Sequence, residues 1–285
     1  MRHVHCCAEH VRAGAVEHSS QDTLVLPLAG TFQKHFGPGK AMLATPSMAL
    51  FFAKDRAHRI SHPCGVEDEC LALDFNPSIF DTTLTEAAGV DGFGHPALRE
   101  FAVLPLRAIT ARDLLTVCLK RRDAAELNVA EIAVELLGVT SALATRKQTD
   151  VVRQRDTTQR RRDDMIETAK HVLAPADRNV TLTELAVRAH TTPFHLARVF
   201  KATVGISAHD YQVRVRLSQA LKNVLDSSES FSDIAVRSGF SSHSHFSLAF
   251  RRHVGLTPLQ VRRLARSGTA GEVSKIVTAL MKSID

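Results

Sequence analysis

The feature that most limits what this chain can fold into is a repeat inside its C-terminal half. Glu184-Leu185-Ala186-Val187-Arg188 returns as Asp233-Ile234-Ala235-Val236-Arg237, an offset of 49 residues. Phe200-Lys201 followed by Val204-Gly205-Ile206-Ser207 returns as Phe250-Arg251 followed by Val254-Gly255-Leu256-Thr257, an offset of 50. One residue is therefore inserted between the two blocks. Each copy reads as a short helix, a break, and a second helix of about a dozen residues that ends at glycine, the residue best suited to the backbone just past a helix end.

Local signals mark the ends of these helices. Thr181 with Glu184 three residues on is a capping box, Thr192-Pro193 sets a capping hydroxyl before a proline at the first helical position, and Thr257-Pro258 with Gln260 repeats the device. Between the copies, Val213, Leu217, Ala220, Leu221, Val224 and Leu225 fall on one face of a long helix that Ser207 caps. A plain helical bundle would account for the periodicity. It would not account for the repeated break, the doubled glycine and the basic residue after each phenylalanine.

Charge divides the chain in the same way. Residues 1–150 hold 15 Lys and Arg against 18 Asp and Glu, whereas 151–285 hold 21 against 12. A basic half joined to a slightly acidic one suggests a polyanion-binding domain attached to a domain with another task. No run approaches the roughly 18 apolar residues of a spanning helix, and the first ten residues lack a signal peptide's apolar segment, so a cytoplasmic location and no membrane partner are expected. Five cysteines are then read as reduced thiols. With no Trp and one Tyr, a carbohydrate-stacking site is not expected.

The N-terminal half has a different texture. Apolar runs at 24–28, 48–53 and 71–75 are separated by Gly30, Gly37-Pro38-Gly39, Pro46, Pro63 and Gly65 and closed by Asn76-Pro77, which predicts short strands in a small barrel or sandwich. Two helices are expected to follow within 110–145. The first covers 113–122; the second carries Val129, Ile132, Ala133, Leu136, Leu137 and Leu143. Residues 146–162, rich in Arg, Gln, Asp and Thr, read as a linker.

The run Ile234-Ala235 through Gly239-Phe240, Ser244-His245-Phe246, Phe250-Arg251-Arg252, Gly255 and Thr257-Pro258 resembles the signature of the AraC/XylS (arabinose-regulator) family, and the likeness covers roughly 165–265. It implies an α+β protein: a cupin-like sensor and dimerisation domain over 1–145 (barrel about 20–90), a linker, a double helix-turn-helix domain over 163–268, and a C-terminal tail at 269–285. It also implies a transcriptional regulator, an activator rather than a repressor, with double-stranded promoter DNA and RNA polymerase as partners. A helix-turn-helix presents the early outward residues of its second helix to base edges while neighbouring groups hold phosphates. By the family pattern the base-facing residues are Phe194, Ala197 and Arg198 in the first copy and His243, Ser244, Ser247 and Leu248 in the second. Thr192, Lys201, Ser242, Arg251 and Arg252 are the phosphate contacts. His195 and His245, at corresponding positions, are expected to cap or pack. Two residues depart from the pattern: Leu248 stands where a long polar side chain is usual, and His190 stands at a turn position usually held by Gly.

The remaining expectations concern the N-terminal half. Val129, Ile132, Ala133, Leu136 and Leu137 form an apolar stripe that suits pairing with a second chain in a homodimer, or packing on the barrel. His62, Cys64, Cys70, Cys6 and Cys7 offer ligands for a thiophilic or zinc-type metal, though not at the spacing of a known closed site, and a small-molecule effector is the other option. No cofactor is otherwise implied. Catalysis is not expected: the only His-x-His near the barrel, His3 and His5, is read as preceding its first strand. Cys6-Cys7 and Cys64 with Cys70 do not form the two close pairs of an alkyl-transfer repair protein.

Overall fold

Nine short strands and eleven helices build the described parts of the chain, residues 2–6, 14–37, 40–62, 67–92, 95, 97–120, 129–145, 156–173 and 179–284 of a computed structural model. They divide into two compact units: a sheet unit formed by Met1–Arg146 with Arg263–Asp285, and a helical unit, Lys147–Arg262.

In the sheet unit, strands β1 (Arg2–Cys6), β8 (Asp68–Phe75), β3 (Asp22–Ala29), β6 (Met48–Phe52) and β9 (Phe101–Val103) form one sheet in that order. Strands β2 (Glu17–His18), β7 (Ala57–Ser61), β4 (Phe32–Gly37) and β5 (Lys40–Ala44) form a second. The two share a core in which Phe32, Met42 and Ala44 meet Met48, Leu50, Phe52 and Cys70. The expected cupin-like barrel is therefore corrected to two open sheets. The reason lies at Thr45-Pro46-Ser47, where a tight turn closed by Met48 N–H donating to Thr45 O at 3.0 Å carries the chain from one sheet to the other. Among the described residues no ladder joins β5 to β6. His3 and His5, expected before the first strand, lie within β1, paired with Leu71 and Glu69 of β8.

Helices cover the five-stranded sheet. Helix α1 (Pro77–Ala88) falls inside the segment expected to be barrel. It begins where the Asn76 side chain accepts from Ser78 N–H and ends at Gly89, whose φ is +66°. Helix α2 (Leu106–Lys120) starts earlier than the expected 113. Its fully buried Arg112 donates to Pro27 O at 2.5 Å and to Pro46 O at 2.7 Å, fastening the helix to β3 and to the inter-sheet turn. Helix α3 (Val129–Thr145) carries the apolar stripe, and Ile132, Leu136 and Leu137 are wholly buried against α1 and the last helix of the chain. The expectation that this stripe pairs with a second copy is corrected on that ground: its large side chains are already spent inside the chain, with Val129 and Ala133 half-buried at its edge.

The expected C-terminal tail is that last helix, α11 (Ala270–Lys282). A capping box between Thr269 and Glu272 starts it, and Val273, Val277, Leu280 and Met281 bury its inner face on α2 and α3.

The helical unit opens with α4 (Asp156–Leu173), which begins inside the expected linker; residues 146–155 lie outside the described residues. Helices α5 (Leu182–Arg188), α6 (Pro193–Val204), α7 (Ala208–Asp226), α8 (Phe231–Arg237) and α9 (His243–Val254) follow, and α10 (Pro258–Ser267) crosses the boundary between units. Ile166, Ala169, Leu185, Leu196, Phe200 and Tyr211 bring α4, α5, α6 and α7 into one apolar cluster.

Candidate nucleic-acid interface

Each helix pair is shaped by local chemistry before it meets a neighbour. The Thr181 hydroxyl accepts from Glu184 N–H, while Glu184 accepts from Thr181 N–H at 2.7 Å, so two otherwise unsatisfied donors at the start of α5 are answered reciprocally. After seven residues the backbone reverses. His190 N–H donates to Val187 O at 3.2 Å and Thr191 N–H to Ala186 O at 2.9 Å, the paired bonds of a glycine-type helix end. In the second copy Gly239 N–H donates to Val236 O and Phe240 N–H to Ala235 O, at 3.0 and 2.9 Å. His190 and Gly239 both take left-handed backbone, with φ of +50° and +71°. These turns keep the offset of 49, and the next helix caps, Thr192 and Ser242, stand at 50. The inserted residue is therefore Ser241, directly after Phe240.

The second helices match each other closely. Thr192 Oγ1 accepts from His195 N–H at 3.3 Å and Ser242 Oγ from His245 N–H at 3.1 Å. Both helices run twelve residues and stop at Gly205 and Gly255, whose φ values are +87° and +86°. Leu196 and Phe200 bury one face of α6, as Phe246 and Phe250 bury that of α9. Behind α6, Phe200 meets Tyr211 of α7 edge-on at 5.5 Å; behind α9, Phe240, Phe246 and Phe250 stack edge to face in sequence.

Fixing one face in the core decides what the other presents, because residues three and four apart share a side of a helix. On α6 that side carries Phe194, 81% exposed, then Ala197 at the half-buried border, and exposed Arg198 and Lys201. On α9 it carries His243, Ser244, half-buried Ser247, Leu248 at 71% exposure, and exposed Arg251 and Arg252. At that exposure Phe194 takes no part in the core. Among the described residues none of Arg198, Lys201, Arg251 and Arg252 is held in an ion pair, whereas Arg237 is tied to Glu229. His243 Nε2 lies 3.2 Å from Ser247 Oγ, so two of the expected base-facing groups meet each other. His245 packs edge-on to Phe240 and its Nδ1 lies 3.0 Å from Ser241 Oγ, in keeping with a packing role.

The connector locks the two copies together. Ser207 caps α7, whose Leu217, Ala220, Leu221 and Val224 are wholly buried. Arg216 of α7 sits against the turn before α9, so close that a Cβ on Gly239 would stand 3.2 Å from its guanidinium, and its Nη2 donates to Asn179 Oδ1 at 3.3 Å. Arg262 lies 4.0 Å over the Phe231 ring and donates to Val224 O and Glu229 O at 3.2 and 2.8 Å. Burial lowers the Arg214 and Arg216 pKa from the usual arginine value. Val187 and Val236, exposed at 68% and 71% on corresponding positions of α5 and α8, are further surface residues that the spacing of the second helices does not reach, although the repeat itself singles them out.

Of the metal candidates in the sheet unit, Cys6, His62 and Cys70 are described, and Cys7 and Cys64 lie outside the described residues.

A family model described as a helix-turn-helix domain matches residues 185–264. The bifunctional transcriptional activator/DNA repair enzyme AdaA of Bacillus subtilis is 31% identical over 87 residues, 30% of this chain and 41% of that protein. The chain thus spans less than half of AdaA. A crystal structure of an AraC-type transcriptional regulator from Chromobacterium violaceum is 24% identical, covers 40% of this chain and 98% of its own, and superposes with a TM-score of 0.35. The probable transcription factor PqrA of Proteus vulgaris is 31% identical over 83 residues, 29% of this chain and 68% of that protein. With two capped helix-turn-helix copies in place and two thirds of PqrA spanned, the chain belongs to the AraC/XylS family of transcriptional regulators.

Proposed function

We propose that this chain is a sequence-specific regulator that activates transcription in the cytoplasm, with α6 and α9 entering the major groove of promoter DNA and the sheet unit exerting control. The observation that carries the reading is the pair of exposed helix faces, each backed by a buried phenylalanine and each ending in uncommitted basic residues. Arg198 has the forked donor geometry that pairs with guanine O6 and N7, and Phe194 offers apolar contact to a thymine methyl. Leu248 occupies the position of Arg198 in the second copy, 50 residues on. It presents an apolar tip where the first copy presents a guanidinium, so the two half-sites differ in sequence. Thr192, Ser242, Lys201, Arg251 and Arg252 surround these faces and hold phosphates, with the helix N-termini adding favourable partial charge.

RNA polymerase is the further partner the family suggests. An effector acting through the sheet unit and assembly into a homodimer complete the proposal. The dimer requires a surface other than the buried stripe of α3. Catalysis has no place in this reading; the competing one, alkyl transfer to a cysteine, would appear as methyl transfer from alkylated DNA.

The test separates base reading from phosphate holding. Sites selected from a random pool supply the preferred duplex. On it Arg198→Ala is expected to cost about 1–3 kcal/mol and to relax discrimination at one base position. Arg251→Ala is expected to weaken binding to all sequences alike and to reduce the salt slope by about one. Uniform weakening by Arg198→Ala, with base preference intact, would overturn the assignment of α6 as a reading helix.

A further inference from the structure

Within the sheet unit a thiol, an imidazole and a carboxylate come together. Cys6 is the last residue of β1 and Asp68 the first of β8, and the two are direct partners in the ladder. His62 follows β7, which belongs to the other sheet. The ligand atoms of Cys6, His62 and Asp68 all lie within 4.8 Å of one another. Among the described residues no other three such groups come this close.

We propose that Cys6 Sγ, the His62 imidazole and the Asp68 carboxylate bind a zinc-type divalent cation that fastens the two sheets together. The donor set is a mixture of soft sulfur, nitrogen and one oxygen, which suits zinc and its thiophilic neighbours and does not suit calcium or magnesium. Bond lengths of about 2.0–2.3 Å put tetrahedral ligands roughly 3.3–3.8 Å apart, so small side-chain rotations close the set around an ion. His62 Nε2 lies 2.5 Å from Asp68 Oδ1, a hydrogen bond that would open by about 1 Å as the ion takes the place of the shared proton. Both residues are buried, with 6% and 3% exposure, a costly place for a carboxylate unless it has strong partners. Cys70 supplies another, its thiol donating to Asp68 Oδ2 at 3.2 Å.

The site has a route of entry. Cys6, Asp68 and Cys70 line a cavity of about 280 Å³ whose other walls include His18, His58 and Ile60 of the second sheet and its approach. Cys6 is only partly buried. Three protein ligands with a fourth position turned toward a cavity leave room for water or an exogenous ligand, as in exchangeable rather than closed zinc sites. The same ion would clamp β1, an edge strand, to β8 and to the end of β7. Occupancy would therefore stiffen one end of the sheet unit.

The experiment uses the full chain, stripped with a chelator and titrated with Co²⁺ and then Zn²⁺. A thiolate-to-cobalt charge-transfer band in the near ultraviolet is expected to saturate at stoichiometric metal, and Zn²⁺ is expected to displace it and raise the melting temperature. Cys6→Ser is expected to abolish the band, and His62→Gln to weaken binding about tenfold or more. Cys118→Ser, which alters a buried thiol on α2, is expected to change neither. Metal-free melting of Cys6→Ser matching the parent shows that the fold survives. Absence of stoichiometric metal in the parent would overturn the site. So would binding that survives both Cys6→Ser and His62→Gln, or that is lost only in Cys7→Ser or Cys64→Ser. None of these readouts involves DNA, so their failure is separate from failure of the regulatory reading.

Discussion

His190 holds a left-handed backbone, φ +50°, that the second copy assigns to Gly239, and it does so on an exposed turn. A side chain with a Cβ costs about 1–2 kcal/mol there, part of which glycine would give back as chain entropy. His190→Gly is therefore expected to stabilise the helical unit by about 0.5–1 kcal/mol in urea unfolding; a loss of stability would mean the imidazole makes a contact that outweighs the strain. Gly239→Ala should do the opposite, because it adds the left-handed penalty to a close approach of 3.2 Å on Arg216. Lys34 makes the residue-scale prediction about pH. Its ammonium is buried at 4% side-chain exposure, donates to Phe51 O at 2.6 Å, lies 3.2 Å from Glu100 and sits 3.9 Å over the Phe52 ring. Burial, only partly offset by Glu100, lowers its pKa to about 8 from 10.5. The unfolded chain then holds this proton to higher pH than the folded one, so stability from this group rises as pH climbs from about 8 to about 10.5. The full rise is about 3 kcal/mol at 1.36 kcal/mol per unit. Urea unfolding of the parent and of Lys34→Met across that window should diverge, the parent gaining with pH; parallel curves would show that Lys34 titrates normally.

Among the elements, those set by neighbours in sequence were legible and those set by distant partners were not. In the helical unit α5, α6, the connector α7 and the end of α9 could be read from the caps at Thr181, Thr192 and Ser207 and from the glycines at 205 and 255, because a capping bond spans three residues. The same kind of signal stood unused at Asn76-Pro77 and at Thr269 with Glu272, and the helices it announces, α1 and α11, were expected as barrel and tail. Two open sheets could not be told from a barrel, since closure depends on which strands pair across the chain. The apolar stripe of α3 was legible as a stripe; its partner was not. Gly138 of α3 faces α1, where a Cβ would make ordinary contacts with Ala87 and Thr83 at 3.5 and 3.7 Å, and α11 returns from the far end of the sequence to cover the rest. Leu136→Glu is accordingly expected to unfold the sheet unit, since burying an unpaired carboxylate there adds to a lost apolar burial of about 1.5–3 kcal/mol. Circular dichroism and light scattering decide it. A folded monomer derived from a parent dimer would restore α3 as an interface.

Across the whole molecule the basic excess belongs to the helical unit: residues 147–262 hold 18 Lys and Arg against 11 Asp and Glu, whereas the sheet unit holds 18 against 19. On the reading proposed above, phosphate attraction acts on the part of the chain that carries α6 and α9, and the way those helices are joined decides how the charge is used. They are joined by a buried helix and not by a tether. Phe200 of α6 packs on Tyr211 of α7, Arg216 of α7 seats on the turn before α9, and Arg262 fastens α10 to Phe231 and Val224. A rigid connector fixes both the rotation and the distance between the half-sites that one chain can occupy. Inserting roughly 5 base pairs between them turns the second groove by about half a helical turn, and inserting roughly 10 restores its direction but moves it about 34 Å away. Each insertion is expected to cost about 10²-fold or more in affinity, the second contact being lost in both. A flexible connector would recover at the longer insertion, where the groove faces the protein again. Titration of the three duplexes distinguishes the two: loss at both lengths supports the rigid pair, and recovery at the longer one would mean that α7 or its ends bend when DNA is bound.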